Sequence, residues 1–237
     1  INMGTGPDDT KLSQLMKDYD AVLMAMGCML AIPLPLKGLS EGDIDPVLEA
    51  PNAEYGLDFL TELHRGEDKV VGKRVAVIGA GFTALDCSRV ALRLGAEDVS
   101  VHIRTTEKYI PVTHEQIFES KREGVKILGL RTPVGLERDA DGNVTGVKFV
   151  QNRLGGYRAN GRREAVPIEG SEFIEPCDTV LVAIGQKTIN DCMDIDVGLD
   201  RWHNVRVGEN GMTSVDGLFA AGDFVGGATT VVEAVGH

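Results

Sequence analysis

The chain lacks the cysteine patterns that would support dithiol or metal chemistry. Its four cysteines, Cys28, Cys87, Cys177 and Cys192, lie far apart and form no C-x-x-C motif. This spacing argues against a dithiol redox centre and against a run of iron–sulfur or zinc ligands in this sequence. We therefore expect no metal site and four reduced thiols, which are typical of a cytoplasmic protein.

Basic residues and long apolar runs are also scarce. There are 24 lysines and arginines against 36 aspartates and glutamates, for a formal net charge of -12. A chain without a basic surplus is poorly suited to nucleic acid or to anionic membranes. No apolar run approaches the ~20 residues of a membrane span, and no secretory signal opens the sequence. We expect neither a nucleic-acid nor a membrane partner, and the absence of an initiator Met predicts a piece of a longer protein.

The remaining composition is that of a globular protein. Apolar residues make up 43% of 237 residues and charged residues 25%, which suits one or two domains. Hydrophobic patterning predicts strands at 19–26, 75–78, 99–103, 125–128 and 177–186, and helices at 54–65, 82–94, 114–123 and from about 228. Between the predicted strands at 125–128 and 177–186, residues 132–164 are predicted to form antiparallel strands with a hairpin turn at Asp141-Gly142. The pattern predicts an α/β fold with a parallel sheet and an antiparallel hairpin.

The stretch VAVIGAGFTALDCSRVALRLGA contains Gly79-Ala80-Gly81 between a strand and a helix. In this context Gly79 makes the tight turn, and Gly81 lets the backbone approach a pyrophosphate. The N–H groups of Phe82 and Thr83 then face the phosphates. Ala84 stands where a dinucleotide fingerprint has its third glycine. The alternative is a structural strand–helix turn without a ligand.

Arg104 follows the next strand, where an acidic residue would bind the ribose of NADH. A guanidinium pairs instead with a 2′-phosphate, so the site favours NADPH, with His102 and Lys108 as further sources of positive charge. The alternative is a solvated surface arginine, because polar residues follow it at 105–107.

The stretch AAGDFVGGATTVVEA suggests a second ligand site. Asp223 follows a strand and a glycine, so that its carboxylate can accept a hydrogen bond from a ribityl or ribose hydroxyl. Gly226 and Gly227 permit close backbone approach, and Thr229 and Thr230 begin a helix. The alternative is an ordinary glycine-rich turn with a helix N-cap.

Together these stretches resemble a known family. YDAVLMAMG, VAVIGAGFTALDCSRVALRLGA, VLVAIGQ and GLFAAGDFVGGATTVVEAV occur here in an order similar to that of flavoprotein reductases with two dinucleotide-binding domains. The resemblance is greatest to the small subunit of glutamate synthase and the matching part of dihydropyrimidine dehydrogenase, and it covers nearly all of the chain. It implies a Rossmann-like NADPH-binding domain at 68–170, inserted into an incomplete FAD-binding domain at 1–67 and 171–237.

The resemblance also implies site residues. The implied NADPH phosphate contacts are Gly79, Gly81, Phe82 and Thr83, with Asp86 and Cys87 completing an A-x-D-C motif. Arg104 binds the 2′-phosphate, and Ala183, Ile184 and Gly185 lie on the nicotinamide side. The implied FAD contacts are Gly27, Gly222, Asp223, Thr229, Thr230 and Val231. The family usually has a second basic residue directly after Arg104, where this chain has Thr105. The first FAD fingerprint and an iron–sulfur domain are expected upstream of Ile1.

By this resemblance, the function is that of an electron-input module. NADPH reduces FAD, and electrons pass to iron–sulfur clusters of an upstream domain or to a large partner subunit like that of glutamate synthase. Hydride transfer between these cofactors needs no protein nucleophile, so no catalytic residue is predicted. The alternative is a non-catalytic module that binds a pyridine nucleotide, since the isolated chain is expected to be inactive and not to retain FAD. A disulfide reductase is disfavoured by the cysteine spacing.

Overall fold

A computed structural model describes residues 4, 6, 8–36, 47, 49–159 and 161–237. The helices are α1 (Leu12–Asp18), α2 (Gly56–His64), α3 (Phe82–Arg93), α4 (His114–Arg122), α5 (Asp223–Gly226) and α6 (Val231–Gly236), with a 3₁₀ turn at Glu107–Tyr109. The strands are β1 (Val22–Met24), β2 (Leu30–Ala31), β3 (Ala53–Tyr55), β4 (Arg74–Gly79), β5 (Asp98–His102), β6 (Lys126–Leu128), β7 (Arg131–Arg138), β8 (Val144–Tyr157), β9 (Arg163–Pro176), β10 (Thr179–Ala183), β11 (Gln186–Lys187) and β12 (Leu218–Ala220).

The chain forms two compact units. Unit 1 consists of Ile1–Leu30 and Gln186–His237, and unit 2 is the continuous segment Ala31–Gly185 between them. One unit is therefore built from both ends of the sequence, and the other is inserted into it.

Unit 2 contains a five-stranded parallel sheet in the order β3-β10-β4-β5-β6. Alternate side chains leave its two faces, as the period of a strand requires. Val77 and Val101 pack with Phe59 of α2 and Leu85 of α3 in one core, so the helices cover this face. Burial on both faces explains why β10 reads as a continuous apolar run.

The other face of the parallel sheet packs against an antiparallel sheet in the order β7-β8-β9. Ile78 and Val180 share a core with Val147 and Phe149 of β8. The turn between β7 and β8 contains Gly142 with φ +85°, which confirms the predicted hairpin.

Unit 1 is built around the parallel pair β1 and β12, in the register Val22 with Leu218 and Met24 with Ala220. β1 lies within the predicted strand at 19–26, and β12 is the strand that was expected to precede Asp223. Its core contains Leu12 of α1 and Phe224 of α5. β1 is shorter than the predicted strand at 19–26, and its central residue Leu23 is 64% exposed.

The two compact units divide the chain at 30/31 and 185/186, whereas the predicted domains have boundaries at 67/68 and 170/171. The two divisions differ because β3 and β10, which lie in the predicted FAD-binding segments, pair into the sheet that contains β4. The division into an NADPH-binding and an FAD-binding domain stays a prediction. The predicted helix at 54–65 begins two residues late, since Ala53–Tyr55 forms the three-residue strand β3.

Across the described ranges, no helix combines the length and the apolar character that crossing a bilayer requires.

His102 does not supply the positive charge expected of it. Strand alternation turns it toward the antiparallel sheet, where it is 2% exposed and stacks on Phe149 with ring centroids 4.5 Å apart. One ring nitrogen is 2.9 Å from Ser100 Oγ, and the other is 3.5 Å from Arg131 Nη1. Burial, with a smaller effect of Arg131, lowers the pKa of His102 to about 3, so the ring is neutral at physiological pH.

The buried His102 should make stability depend on pH. Its folded pKa lies below the unfolded value of 6.5, so below that pH only the unfolded chain takes up this proton. The free energy of unfolding should therefore fall by up to about 1.4 kcal/mol per pH unit from this group as pH drops below 6.5 toward 3. His102→Gln should remove this component in urea unfolding series between pH 7.5 and 5. Equal pH slopes for the two proteins would contradict the neutral buried state.

Candidate functional site

The turn between β4 and α3 lies at the carboxyl edge of the parallel sheet. Gly79, the last residue of β4, has φ +155° and is paired in register with Ala183 of β10. A Cβ at Gly79 would overlap the carbonyl oxygen of Ala183 and would approach the methyl group of Ala84. A glycine is required here for the close approach of the two strands.

Gly81 and the first turn of α3 leave space and unpaired donors at the same edge. A Cβ at Gly81 would meet none of the described atoms within 4 Å, and no described side chain caps the helix that follows. The N–H groups of Phe82 and Thr83 have no partner within the helix, because they precede its first hydrogen-bonded turn. Phe82 and Asp86 are exposed and Thr83 is partly exposed. Open space, free donors and the positive end of a helix suit a phosphate group.

Arg104 follows β5 at the edge where β4 ends, since Ile78 pairs with His102 in the ladder between them. Its side chain is exposed and forms none of the ion pairs found among the described residues. Lys108 is also exposed and lies 5.8 Å from the ring centroid of Tyr109. The guanidinium of Arg104 is thus free to pair with an anion.

The segment after β10 completes this edge. Ala183 is buried beside Gly79, Ile184 packs into the core shared with the antiparallel sheet, and Gly185 is exposed with φ +140°. The Gly185 carbonyl accepts a hydrogen bond from the Ile32 amide at 3.1 Å. The structure therefore places Gly79 and Gly81 beside the segment Ala183 to Gly185. The Ile184 side chain packs into the core.

Unit 1 carries the second predicted set at the carboxyl edge of its own strand pair. Gly27 and Gly222, which follow β1 and β12, both have φ +68°. Asp223 Oδ1 accepts hydrogen bonds from Thr229 N at 3.2 Å and Thr229 Oγ1 at 2.8 Å. Its other carboxylate oxygen has no hydrogen-bond partner among the described residues and remains available to a ligand hydroxyl.

The helix that follows is capped from within. Thr230 Oγ1 accepts from the Glu233 amide, and the Glu233 side chain accepts from the Thr230 amide in a capping box. Val231, the first residue of α6, is 80% exposed. The structure thus brings together Asp223 and Thr229, with Thr230 and Val231 directly beyond them.

None of the four cysteines is arranged for redox chemistry. All four are free thiols, and three of them are buried. Burial raises the pKa of Cys87 and of Cys177 to about 12, and it also raises the pKa values of Cys28 and Cys192. Because the thiolate is the reactive form, burial disfavours reactions of Cys87 and Cys177 at neutral pH most strongly. No cluster of metal-ligating side chains occurs within the described part of the chain.

Two residues that no sequence motif marks contact the loop carrying Arg104. Asn152 of β8 donates from Nδ2 to the Arg104 carbonyl at 2.9 Å. Leu130, between β6 and β7, donates from its amide to the Thr105 carbonyl at 2.8 Å. A signal for Asn152 was present, because asparagine is disfavoured inside a strand and needs a local reason there.

The fold and this edge define a dinucleotide-binding α/β protein. Residues 8–237 match the family model described as pyridine nucleotide-disulphide oxidoreductase. The chain belongs to this family. Among solved structures it is similar to FprA from Mycobacterium tuberculosis in complex with NADPH (TM-score 0.70, 16% identity, 94% of this chain and 62% of that one) and to T. acidophilum thioredoxin reductase (TM-score 0.65, 21% identity, 91% and 61%). At these identities the likeness concerns the fold alone.

The chain is more similar in sequence to several curated proteins than to these solved structures. The chain is 34% identical to the NADPH-Fe(3+) oxidoreductase subunit beta of Geobacter sulfurreducens over 97% of this chain and 37% of that protein. It is 36% identical to the NADP(+)-dependent formate dehydrogenase subunit beta of Moorella thermoacetica (99% and 32%) and 33% identical to the glutamate synthase [NADPH] small chain of Escherichia coli (96% and 50%). The predicted resemblance is confirmed, and the chain spans between a third and a half of these relatives.

The two glycines of the turn should respond differently to substitution. Gly79→Ala should destabilise the protein by at least about 2 kcal/mol, because the new methyl group overlaps Ala183 and the backbone conformation is strained. Gly81→Ala meets no neighbour, so its unfolding free energy should stay within about 0.5 kcal/mol of wild type. If a pyrophosphate occupies the open space, Gly81→Ala should weaken nucleotide binding about tenfold or more. Normal binding by a folded Gly81→Ala protein would contradict this use of the turn.

Proposed function

We propose that the chain is part of a flavin-dependent NADPH oxidoreductase of the glutamate synthase small-subunit type. In this proposal a hydride passes from NADPH to FAD, and electrons pass on to iron–sulfur clusters or to a partner subunit. The observation that supports it best is the carboxyl edge of unit 2. There an open glycine turn, a helix start and Arg104 follow adjacent strands, and among the described residues no side chain caps that helix or forms an ion pair with Arg104.

The residues of unit 2 fit the phosphates of NADPH. The N–H groups of Phe82 and Thr83 can hold the pyrophosphate where Gly81 leaves room for it. Arg104 can pair with the 2′-phosphate, which NADH lacks, and Lys108 adds positive charge on the same loop. The proposed preference for NADPH thus depends mainly on one guanidinium, since Thr105 cannot supply a second.

The residues of unit 1 fit one part of FAD. The unpaired carboxylate oxygen of Asp223 can accept a hydrogen bond from a ribityl or ribose hydroxyl, and Thr229 fixes that carboxylate in place. Gly27 leaves open space beside its backbone, whereas Gly222 is buried against Ala234 of α6. When bound, the flavin supplies the hydride acceptor, and the chain supplies binding and orientation only.

The partners proposed for the whole protein follow from the relatives. Three of them are named as a subunit or a small chain, and this chain covers only 32–50% of their length. A partner subunit or a further domain that takes electrons from the flavin is consistent with these names. The final acceptor differs among the named relatives, so it is a property of the whole assembly.

A second candidate function is a pyridine-nucleotide-binding module without flavin chemistry. It is favoured by one observation: in the described part of the chain, β4 and α3 form the only strand–helix turn of the G-x-G type. This turn is the place within the described residues that best fits a pyrophosphate, so it supports the binding of one pyridine nucleotide by this part of the chain.

The NADPH assignment predicts a selective effect of Arg104→Ala. Loss of one phosphate-paired guanidinium should weaken NADPH binding by about 1.5–3 kcal/mol, or roughly 10- to 150-fold, and leave NADH binding nearly unchanged. Calorimetric titration of the full chain with both nucleotides measures this. Arg93→Ala is the matched control, because Arg93 is an exposed arginine at the far end of α3. Equal weakening of NADPH binding and NADH binding would contradict the assignment of Arg104 to the 2′-phosphate.

The two candidate functions differ in their flavin content. A polypeptide of these 237 residues should bind NADPH but lose FAD on purification, because the contacts of unit 1 cannot offset the cost of immobilising the adenosine half. An absorbance spectrum of the purified protein should therefore lack flavin bands. Stoichiometric bound FAD that bleaches on addition of NADPH would contradict this prediction and exclude the non-catalytic module.

A further inference from the structure

The loop that carries Arg104 is held in place by the antiparallel sheet. The Ile103 amide donates to the Leu128 carbonyl at 3.0 Å, and the Arg131 amide donates to the Ile103 carbonyl at 3.0 Å. Leu130 donates to the Thr105 carbonyl at 2.8 Å. The residues on both sides of Arg104 are therefore bound to the segment that connects β6 with β7.

Asn152 completes this arrangement at Arg104 itself. It is 2% exposed, and its Nδ2 donates to the Arg104 carbonyl at 2.9 Å and to Thr132 Oγ1 at 2.8 Å. Its backbone amide donates to the Leu130 carbonyl at 2.7 Å. The carbonyl of Arg104 can only accept, so the amide nitrogen of Asn152 must face it. One buried residue of β8 thus binds both the loop of Arg104 and the segment beside it.

The backbone around Asn152 departs from regular geometry at this point. Leu130 has φ +60°, a conformation that a non-glycine residue adopts only at a cost. In that conformation its amide donates to the Thr105 carbonyl and its carbonyl accepts from the Asn152 amide. The ladder between β8 and β9 also shifts register here, but the extra residues lie on β9, between Glu172 and Pro167. The strained residue that takes part in the contact with the Arg104 loop is therefore Leu130.

We propose that Asn152 is a positioning residue that sets the preference for NADPH over NADH by fixing the backbone of Arg104. The proposal rests on the proposed function, in which Arg104 pairs with the 2′-phosphate. An exposed arginine otherwise loses conformational freedom when it binds a phosphate, and a fixed backbone reduces that loss. Among the described residues, the Asn152 side chain bonds to the Arg104 carbonyl and to Thr132 Oγ1, so its proposed effect on the nucleotide passes through Arg104.

The chain offers a matched control for a merely structural asparagine. Asn52 bridges the start of β8 in the same manner, donating from Nδ2 to the Val144 and Asp178 carbonyls at 2.8 Å and accepting from the Val144 amide at 2.7 Å. It precedes β3 and therefore lies at the amino edge of the parallel sheet, opposite the edge of Arg104. Asn52→Ala and Asn152→Ala each remove one carboxamide that holds β8, but only the second frees Arg104.

The experiment is a double-mutant cycle on the full chain. Dissociation constants for NADPH and for NADH are measured for wild type, Arg104→Ala, Asn152→Ala, the double variant and Asn52→Ala, well below the melting temperature of each. Asn152→Ala should weaken NADPH binding about three- to tenfold and leave NADH binding unchanged. The double variant should bind NADPH no more weakly than Arg104→Ala, because Asn152 acts through Arg104. Asn52→Ala should keep the wild-type ratio of the two constants.

Two outcomes separate this inference from the proposed function. If wild type prefers NADPH and Arg104→Ala loses that preference, but Asn152→Ala keeps it or weakens both nucleotides equally, the positioning role is overturned and the function stands. Additive losses in the double variant overturn it as well. A wild-type chain with no preference for NADPH overturns the cofactor assignment and this inference together.

Discussion

The parallel pairing of β4 with β10 is the interaction on which the fold of unit 2 and its candidate site both depend. It brings Gly79 against Ala183 so closely that no side chain fits between them. The same contact aligns the carboxyl ends of the central strands, so that the turn before α3 and the segment after β10 share one edge. Ligands in open α/β sheets bind at such an edge because loops and helix N-termini converge there. The site is thus a consequence of strand packing rather than an addition to it.

The electrostatics of the site are local and run against the charge of the whole chain. A formal net charge of -12 would repel a phosphorylated cofactor if it acted uniformly. Exposed charges are screened beyond about 8 Å at physiological ionic strength, so the field at the turn comes from the groups beside it. These are the start of α3, Arg104 and Lys108, while burial keeps His102 neutral. Net charge therefore says little about which small anion this protein binds.

The sequence predicts the elements that repeat a regular pattern, and it fails where tertiary pairing decides. The strand before Gly79, the helix after it and the hairpin at Gly142 are all found, because periodicity and turn residues act locally. The boundaries between the units could not be found this way, since only pairing shows that β3 and β10 belong beside β4. The charge of His102 was mistaken because its burial depends on which sheet covers that face of β5. Of the candidate site, the sequence locates the glycine turn and Arg104, whose use by a nucleotide stays a prediction. The contacts that hold Arg104 could not be found from the sequence, because they join residues about fifty positions apart.

The antiparallel sheet of β7, β8 and β9 therefore has two roles, and its sequence alone does not show which residues have which role. Its first half covers one face of the parallel sheet with Val147 and Phe149, a packing role that a variety of apolar residues could fill. At Asn152 the strand leaves that core, and its hydrogen bonds turn to the loop beyond β5. Apolar packing tolerates substitution because it is non-directional, but a carboxamide aimed at one carbonyl does not. The left-handed conformation of Leu130 is a cost that packing alone would not require. In that conformation Leu130 bonds both to the loop of Arg104 and to Asn152, which supports the proposed positioning role.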